Sequence, residues 1–202
     1  MWVKNNMENN LSDPSEKRSR CQWASSNELF IPYHDEEWGV PEHDDRKLFE
    51  MLCLEGAQAG VTWLIVLKKR EHYKQLFCNF EPEKIVKLSD EQLEEFLLAP
   101  GIIRNRLKVY SVRKNAEAFL KAKGEFGTFD KYIWQFTDGK TIFNHYKTLQ
   151  ELPSSTPESD AMAKDLKKRG FKFVGSTICY AFMQAVGIFN DHTTDCWKYG
   201  QT

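Results

Sequence analysis

The chain lacks a long hydrophobic run, an export signal and any strong excess of charge of one sign. No apolar stretch reaches the ~18 residues that a membrane-spanning helix needs, so we expect no membrane partner. The 202 residues carry 28 basic and 29 acidic side chains, a formal net charge of −1, so overall charge indicates neither nucleic acid nor an acidic membrane surface. Basic residues nevertheless bunch at 68–74, 104–114 and 164–169.

The cysteine count and the first residues bear on the compartment and the domain organisation. Residues 1–19 have no apolar stretch typical of a signal peptide, and we interpret them as a disordered tail. Five cysteines, an odd number, are typical of free or metal-bound thiols in a reducing compartment. We therefore expect a cytoplasmic protein. Residues 20–202, with 41% apolar residues over the whole chain, suit one domain with a sizeable core.

Helical periodicity dominates the sequence, and the segment before "LEGAQAGVTW" shows it clearly. Apolar positions in 48–55 recur at i, i+3 and i+4, the spacing of one helix face. Asp44 or Asp45 gives this helix a start, and Gly60 can end it in a left-handed turn. Glu55 continues the apolar stripe. Because an inward carboxylate must be paired, hydrogen-bonded or protonated, Glu55 is either a structural acid or part of a site.

Other helices follow from caps and breaks. Thr62 can cap a helix that runs through "KKREHYKQLF". After the loop "ELPSSTPESD", Ser159 or Asp160 can cap a helix that ends at Gly170, and a buried stripe covers residues 176–189. No alternating strand pattern persists long enough to build a sheet. The sequence predicts an all-α fold.

A helical hairpin is predicted over about residues 89–115. "SDEQLEEFLL" begins with the capping-box residues Ser89 and Gln92, and Pro100 with Gly101 then interrupts the helical pattern, which resumes down to Gly124. The start of the second helix offers unpaired N–H groups that can bind phosphate. The basic side chains expected around it are Arg104, Arg106, Lys108, Arg113 and Lys114. The alternative is an ordinary hairpin with a solvated basic face.

Cysteine and histidine occur together near both ends of the chain. Cys21 precedes His34 by thirteen residues, and "HTTDC" places His192 four residues before Cys196. Two cysteines and two histidines form a closed tetrahedral set for structural zinc. The spacing does not match a zinc finger, so two buried thiols beside two surface imidazoles remain the alternative.

Aromatic residues are dense around the first of these pairs. Trp23, Tyr33 and Trp38 follow Cys21 closely, and Trp63 lies shortly after Glu55 in the sequence. Core packing explains most aromatic residues at such density. A metal on the histidine next to Tyr33 would hold that ring in place, as the rigid wall of a pocket requires.

Two stretches together carry a family resemblance. They are "RCQWASSNELFIPYHDEEWGVPEHDDRKLFEMLCLEGAQAGVTWLIVLKKRE" and "LKKRGFKFVGSTICYAFMQAVGIFNDHTTDC". The chain resembles the bacterial DNA-3-methyladenine glycosylase I family from about residue 20 to residue 196. The resemblance implies an all-α fold of the helix-hairpin-helix glycosylase superfamily, with a structural zinc ion joining segments 21–34 and 192–196. It implies that the zinc ligands are Cys21, His34, His192 and Cys196.

The resemblance also implies an activity. The family removes 3-methyladenine from alkylated double-stranded DNA by hydrolysing the N-glycosidic bond, a step of base-excision repair that releases the free base. Glu55 is then the catalytic residue and hydrogen-bonds a base that has been flipped out of the helix. Tyr33 and Trp63 would wall the pocket, with Trp23 and Trp38 nearby.

DNA contacts and the type of reaction follow from the same resemblance. Gly101, Arg104 and Arg106 would contact the DNA backbone, and Val61, beside the pocket, is our candidate to fill the space that the base leaves. No aspartate lies between residues 90 and 130, so the acid that many superfamily relatives use is lacking. No motif places a lysine to form a Schiff base, which predicts a monofunctional hydrolase. A monomer is the family expectation.

Two other classes of function remain open at this point. One is a zinc-stabilised helical DNA-binding module without catalysis, which would bind damaged DNA but release no base. The other is a catalytic zinc hydrolase. That reading needs an open coordination position, which a fourth protein ligand closes.

Overall fold

The computed structural model describes residues 18–201, so the predicted tail over 1–19 lies almost wholly outside the described residues. Helices dominate that part of the chain, as the sequence predicts. Two-residue strands β1 (Ile142–Phe143) and β2 (Phe189–Asn190) form one parallel pair, the single departure there from an all-α fold. Between residues 18 and 201, no helix has the length and apolar character required to cross a membrane.

An unusual helical segment lies near the start. A 3₁₀ turn (Gln22–Ser26) precedes the short helix α1 (Phe30–Pro32), which continues directly into a π-helical turn (Tyr33–Glu37). The Trp38 N–H donates to the Tyr33 carbonyl at 2.8 Å. We call residues 33–37 the π-turn. Such turns are rare and often occur at functional sites, and no pattern in the sequence predicts this one.

Helices α2 (Asp45–Gln58) and α3 (Trp63–Leu76) form the centre of the fold. Asp44 caps α2 by accepting a hydrogen bond from the Lys47 N–H at 2.9 Å, which confirms the predicted start. Gly60 adopts a φ of +75° and makes the predicted left-handed turn. Thr62 takes the capping position of α3, but its side chain makes no capping hydrogen bond, so that part of the prediction is wrong.

The hairpin region contains α4 (Pro82–Ile85), α5 (Asp90–Leu98) and α6 (Arg106–Phe126). The predicted capping box forms, because the Gln92 N–H donates to Ser89 Oγ at 3.3 Å and the Ser89 N–H to Gln92 Oε1 at 2.9 Å. The connection covers 99–105 and is longer than the predicted Pro-Gly turn. Helix α6 starts late because Asn105 accepts the Lys108 N–H at 3.2 Å, and it continues past Gly124.

The last helices are α7 (Phe129–Trp134), α8 (Pro157–Lys168) and α9 (Ser176–Ala185). Thr156 caps α8, whereas Ser159 and Asp160 were predicted. Pro157 fixes the first helical position, and the Ser159 N–H donates to Thr156 Oγ1 at 3.2 Å. Helix α9 ends before the predicted stripe does, because Gly187 turns the chain with a φ of +73° close to the backbone of Val40.

The core surrounds α2, which packs against α3, α6, α7 and α9. Every residue from Leu48 to Ala57 is buried, including Glu55. The core therefore encloses the Glu55 carboxyl group near the end of α2. Which polar groups lie within reach of this carboxyl depends on the elements that pack against that end of the helix.

The prediction that Lys108 belongs to an exposed basic face of the hairpin is wrong. Its side chain is buried, and its Nζ donates to the carbonyl oxygens of Ala57 at 2.9 Å and Ala59 at 2.5 Å. These carbonyls lie at the C-terminal end of α2, where helical hydrogen bonding stops and a cation is favourable. Lys108 thus ties α6 to the bend between α2 and α3.

We expect Lys108→Met to lower the free energy of unfolding by roughly 1–3 kcal/mol, because a buried and a half-buried carbonyl group lose their donor. Urea denaturation measures this loss. Lys114→Met, an exposed lysine on the same helix, is the control and should change stability little. Equal stabilities of the two variants would contradict the capping role.

Candidate functional site

A cavity of about 310 Å³ opens between the π-turn, α2, α3 and α9. All five residues predicted to form the catalytic and base-binding site line it: Trp23, Tyr33, Trp38, Glu55 and Trp63. Sequence reasoning missed the other lining residues, Phe30, Gln58, Leu149, Leu152, Ala181 and Gln184. Leu152 belongs to the predicted loop at 151–160, and Leu149 lies in a 3₁₀ turn (Leu149–Glu151) just before it. No periodic pattern in the sequence indicates that either leucine faces a cavity.

Glu55 places its carboxyl group in this cavity without support from the protein. The residue is 3% exposed, and its Oε2 atom has no hydrogen-bond partner among the described residues. The Trp63 Nε1–H is likewise buried and unpartnered. Burial raises the pKa of Glu55 to about 8, because the charged form loses its hydration. An unpaired buried polar group costs about 1–3 kcal/mol, which a bound molecule with the right partner can recover.

The aromatic side chains form a continuous wall of the cavity. The Tyr33 and Trp63 ring centroids lie 5.3 Å apart at an angle of 48°, and Trp23 packs edge-on against Trp38 at 5.2 Å. Rings this close leave no gap between them for another ring, so a flat molecule would lie against the wall. Burial, and then the charge of Glu55, raise the pKa of Tyr33 well above its usual value, so its hydroxyl keeps its proton and can donate.

Cys21, His34, His192 and Cys196 come together behind this wall, although two of them lie more than 150 residues from the others. All four are buried, and their ligand atoms lie within 4.8 Å of one another. The Cys196 Sγ is 3.4 Å from His34 Nε2 and 3.6 Å from His192 Nδ1, and Cys21 Sγ is also 3.6 Å from His192 Nδ1. Zinc–sulfur and zinc–nitrogen bonds in a tetrahedral site imply a sulfur–nitrogen separation of about 3.6 Å. The arrangement fits a metal ion.

Hydrogen bonds on the far side of both imidazoles support the same interpretation. His34 Nδ1 lies 2.7 Å from Asp35 Oδ1, and His192 Nε2 lies 3.2 Å from the Trp38 carbonyl oxygen. If each of these nitrogens donates, the other nitrogen of each ring faces the cysteines as a lone-pair donor, which is the usual state of a metal-ligating histidine. Burial would raise the pKa of Asp35, but hydrogen bonds from Arg20 and His34 lower it to about 2.

The metal cluster and the cavity share residues. Trp38 accepts the His192 hydrogen bond through its carbonyl and lines the cavity with its ring, and Trp23 lies 5.3 Å from the His34 ring. Tyr33 precedes His34 in the chain. A metal at the cluster would therefore fix the aromatic wall from behind.

None of the four residues predicted to contact DNA is among the residues that line the cavity. Gly101 is buried against α3, where a Cβ atom would come 2.2 Å from the His72 ring. Arg104 and Arg106 are exposed, and Arg106 Nε donates to Glu94 at 2.6 Å. Val61 is half-buried at the bend between α2 and α3. Their contacts with DNA stay a prediction.

Comparison with known proteins gives the family directly. The sequence profile of the methyladenine glycosylase family matches residues 23–199. The chain belongs to this family. DNA-3-methyladenine glycosylase 1 of Escherichia coli (strain K12) is 49% identical over 180 residues, which cover 89% of this chain and 96% of that protein. The family resemblance seen in the sequence is confirmed.

Solved structures of the same family share the fold. A crystal structure of a 3-methyladenine DNA glycosylase I has a TM-score of 0.87 and 51% identity, covering 90% of this chain and all of that one. Another 3-methyladenine DNA glycosylase I, a tyrosine-to-phenylalanine variant in complex with 3-methyladenine, has a TM-score of 0.85 and 31% identity, covering 88% of this chain and 96% of that one.

The raised pKa of Glu55 predicts how stability depends on pH. Below about pH 4.5 the carboxyl is protonated in both the folded and the unfolded chain. As pH rises towards 8, only the unfolded chain ionises, so the folded state loses stability. The free energy of unfolding of Glu55→Gln, relative to that of the wild type, should therefore rise by up to about 4 kcal/mol between pH 5 and pH 8.

Urea denaturation at the two pH values measures this difference. Glu117→Gln, which changes an exposed acid on α6, is the control and should show no such trend. A constant difference between wild type and Glu55→Gln across the range would show that Glu55 ionises normally in the folded protein.

Proposed function

We propose that this protein is a DNA-3-methyladenine glycosylase of base-excision repair, which hydrolyses the N-glycosidic bond of 3-methyladenine in alkylated double-stranded DNA. The observation that carries the proposal is the unpartnered carboxyl group of Glu55 in a cavity walled by Tyr33 and Trp63. The family assignment supports it, as do a relative named for this activity and a structural relative that binds 3-methyladenine.

Recognition rests on the positive charge of the damaged base. In DNA, 3-methyladenine is cationic, so aromatic rings against its face gain roughly 0.5–2 kcal/mol by cation–π attraction. The Glu55 carboxylate attracts the same charge and can accept a hydrogen bond from the exocyclic amine. Binding a cation favours the ionised carboxyl, so the pKa of Glu55 falls when the base enters. Neutral adenine carries the same amine but lacks the positive charge, so it gains neither the cation–π attraction nor the charge–charge attraction.

Cleavage of the N-glycosidic bond needs little catalytic assistance from the protein, because the cationic base is a good leaving group. When the bond between the sugar C1′ and the base nitrogen cleaves, its electron pair neutralises the cationic ring, and neutral 3-methyladenine leaves. Water adds to C1′ and releases one proton. Glu55 is the only carboxyl group lining the cavity in the described part of the chain, and Glu117 and Glu125, the acids that follow the hairpin, are exposed.

The same lining supports simple hydrolysis. No lysine of the described chain lines the cavity, so no amine is placed there to form a Schiff base with the sugar. Flipping the base out of the stack costs a few kcal/mol, which the aromatic wall and Glu55 return in part. The monofunctional reaction predicted from the sequence agrees with this arrangement.

We also propose that Cys21, His34, His192 and Cys196 hold a structural zinc ion. Four protein ligands close a tetrahedral site, so such an ion would brace the chain ends and take no substrate. This argues against a catalytic zinc hydrolase. A DNA-binding module without catalysis stays as the second candidate, because the basic hairpin would serve either function.

The remaining features of the proposal concern DNA and assembly. Gly101, Arg104 and Arg106 of the helix-hairpin-helix segment at 89–115 contact the DNA backbone, and Val61 enters the space that the base leaves. The protein acts as a single domain over 20–202, as a monomer, in the cytoplasm. Exposed arginines at the hairpin and the position of Val61 beside Trp63 support these assignments.

Base release from methylated duplex DNA tests the activity. We expect the wild type to free 3-methyladenine and to spare 7-methylguanine. Glu55→Ala should lower the rate of base release by about 100-fold or more, which is the usual effect of removing one charge-stabilising group from an active site. Chromatography of the released bases measures this, with Glu117→Ala as the control. Binding of damaged DNA without base release by the wild type would favour the non-catalytic module.

Metal analysis and one cysteine variant test the cluster. We expect about one zinc ion per chain. Cys196→Ser should lower the melting temperature while its folded fraction still releases 3-methyladenine, because the ion acts on structure. Cys78→Ser, which changes a half-buried thiol outside the cluster, is the control. A folded Cys196→Ser protein that binds free 3-methyladenine as tightly as the wild type but releases none from DNA would point to a catalytic metal.

A further inference from the structure

The segments that carry the three central site residues are also joined by charged side chains. Tyr33 lies in the π-turn, Glu55 in α2 and Trp63 in α3. Each of these segments contributes one further member to a group that we call the ion triad. Its members are Glu37 from the π-turn, Glu50 from α2 and Arg70 from α3.

Arg70 is the centre of the ion triad. Its Nε donates to Glu50 Oε1 at 2.7 Å, and its NH1 group donates to both carboxylate oxygens of Glu37 at 2.8 and 2.7 Å. The side chain of Arg70 is 17% exposed, that of Glu50 3% and that of Glu37 42%. None of the three lines the aromatic cavity.

Stability alone does not account for such an arrangement. Replacing a buried ion pair by apolar residues is often neutral or stabilising, whereas the planar guanidinium holds its partners in a defined geometry. Lys74 Nζ lies 3.7 Å from Glu50, so a second cation partly compensates that buried carboxylate. What the guanidinium adds is a link from α2 and α3 to the π-turn.

We infer that Arg70 and Glu37 are positioning residues for base excision, since they hold the π-turn in a fixed place against α2 and α3. This inference rests on the proposed function. Glu37 ends the π-turn four residues after Tyr33, and Arg70 lies two helical turns, about 10 Å, along α3 from Trp63. The ion triad thus sets where the Tyr33 ring stands relative to Trp63 and Glu55.

Breaking the ion pair between Arg70 and Glu37 should therefore lower the rate of 3-methyladenine excision without a matching loss of stability. The Tyr33 and Trp63 rings touch at 5.3 Å, so a shift of the π-turn changes the wall on which the base lies. Displacing a binding group by about 1 Å can lower a rate by as much as 100-fold. DNA binding through the hairpin should not depend on the π-turn.

The chain offers a matched control. Arg169 also joins two carboxylates, since it donates through Nε to Asp165 at 2.6 Å and through NH1 and NH2 to Glu125 at 2.6 and 3.2 Å. Its side chain is 22% exposed and that of Glu125 58%. Among the residues that the structure describes around the cavity, none belongs to this second group.

The test compares Glu37→Ala with Glu125→Ala. Each variant removes the more exposed carboxylate of its group and leaves the other ion pair in place. We measure single-turnover excision of 3-methyladenine at saturating enzyme, affinity for undamaged duplex DNA, and the melting temperature. Glu37→Ala should lose roughly 10- to 100-fold in rate and keep its DNA affinity, whereas Glu125→Ala keeps both. Arg70→Lys, which keeps the charge but loses the fork, should also slow excision relative to Arg169→Lys.

The possible outcomes distinguish failure of the positioning role from failure of the proposed function. Wild-type rates for Glu37→Ala, or equal losses in Glu37→Ala and Glu125→Ala, would overturn the positioning role. A parallel fall in DNA affinity and melting temperature would also overturn it, because a purely structural group behaves in that way. If the wild type itself released no 3-methyladenine, the proposed function would fail first, and the affinity of each variant for free 3-methyladenine would then test the positioning role alone.

Discussion

The burial of one carboxyl group without a protein partner is the constraint on which the site depends. Glu55 lies on the buried stripe of α2, where the core removes its hydration and no side chain returns it. A group in that state favours a partner that brings positive charge or hydrogen-bond donors. The aromatic wall beside it offers electron-rich rings and the unpartnered Trp63 Nε1–H. In the proposed function, together they would select a flat, cationic base over a neutral one of nearly the same shape.

Rigidity around that carboxyl comes from two directions. Behind the wall, the cysteine and histidine cluster contains His34, the chain neighbour of Tyr33, and His192 Nε2 lies 3.2 Å from the Trp38 carbonyl oxygen. On the other side, the ion triad joins the segments that carry the site residues. The π-turn lies between these two supports, because Tyr33 lines the cavity and the next residue, His34, belongs to the cluster. With a metal ion at the cluster, as we propose, the wall would be braced from both sides before any base arrives.

The sequence predicts the features that depend on local rules. The period of α2, its cap at Asp44 and the capping box at Ser89 follow from spacing and side-chain chemistry, and the structure has all three. Features set by tertiary contacts could not be predicted in this way. From the sequence, Lys108 is predicted to lie on a basic face, because the sequence does not show that the end of α2 packs against it. Leu149, in a 3₁₀ turn, and Leu152, just after that turn, line the cavity although no periodic pattern predicts it. The π-turn likewise has no sequence signature.

The central claim is that the unpartnered carboxyl of Glu55 receives the damaged base. A crystal structure of this protein with 3-methyladenine tests it most directly. The account predicts the base inside the cavity, against the wall formed by Tyr33 and Trp63, with its amine nitrogen about 3 Å from a Glu55 carboxylate oxygen. A base bound elsewhere, or one in the cavity that leaves Glu55 without a hydrogen bond, would contradict it.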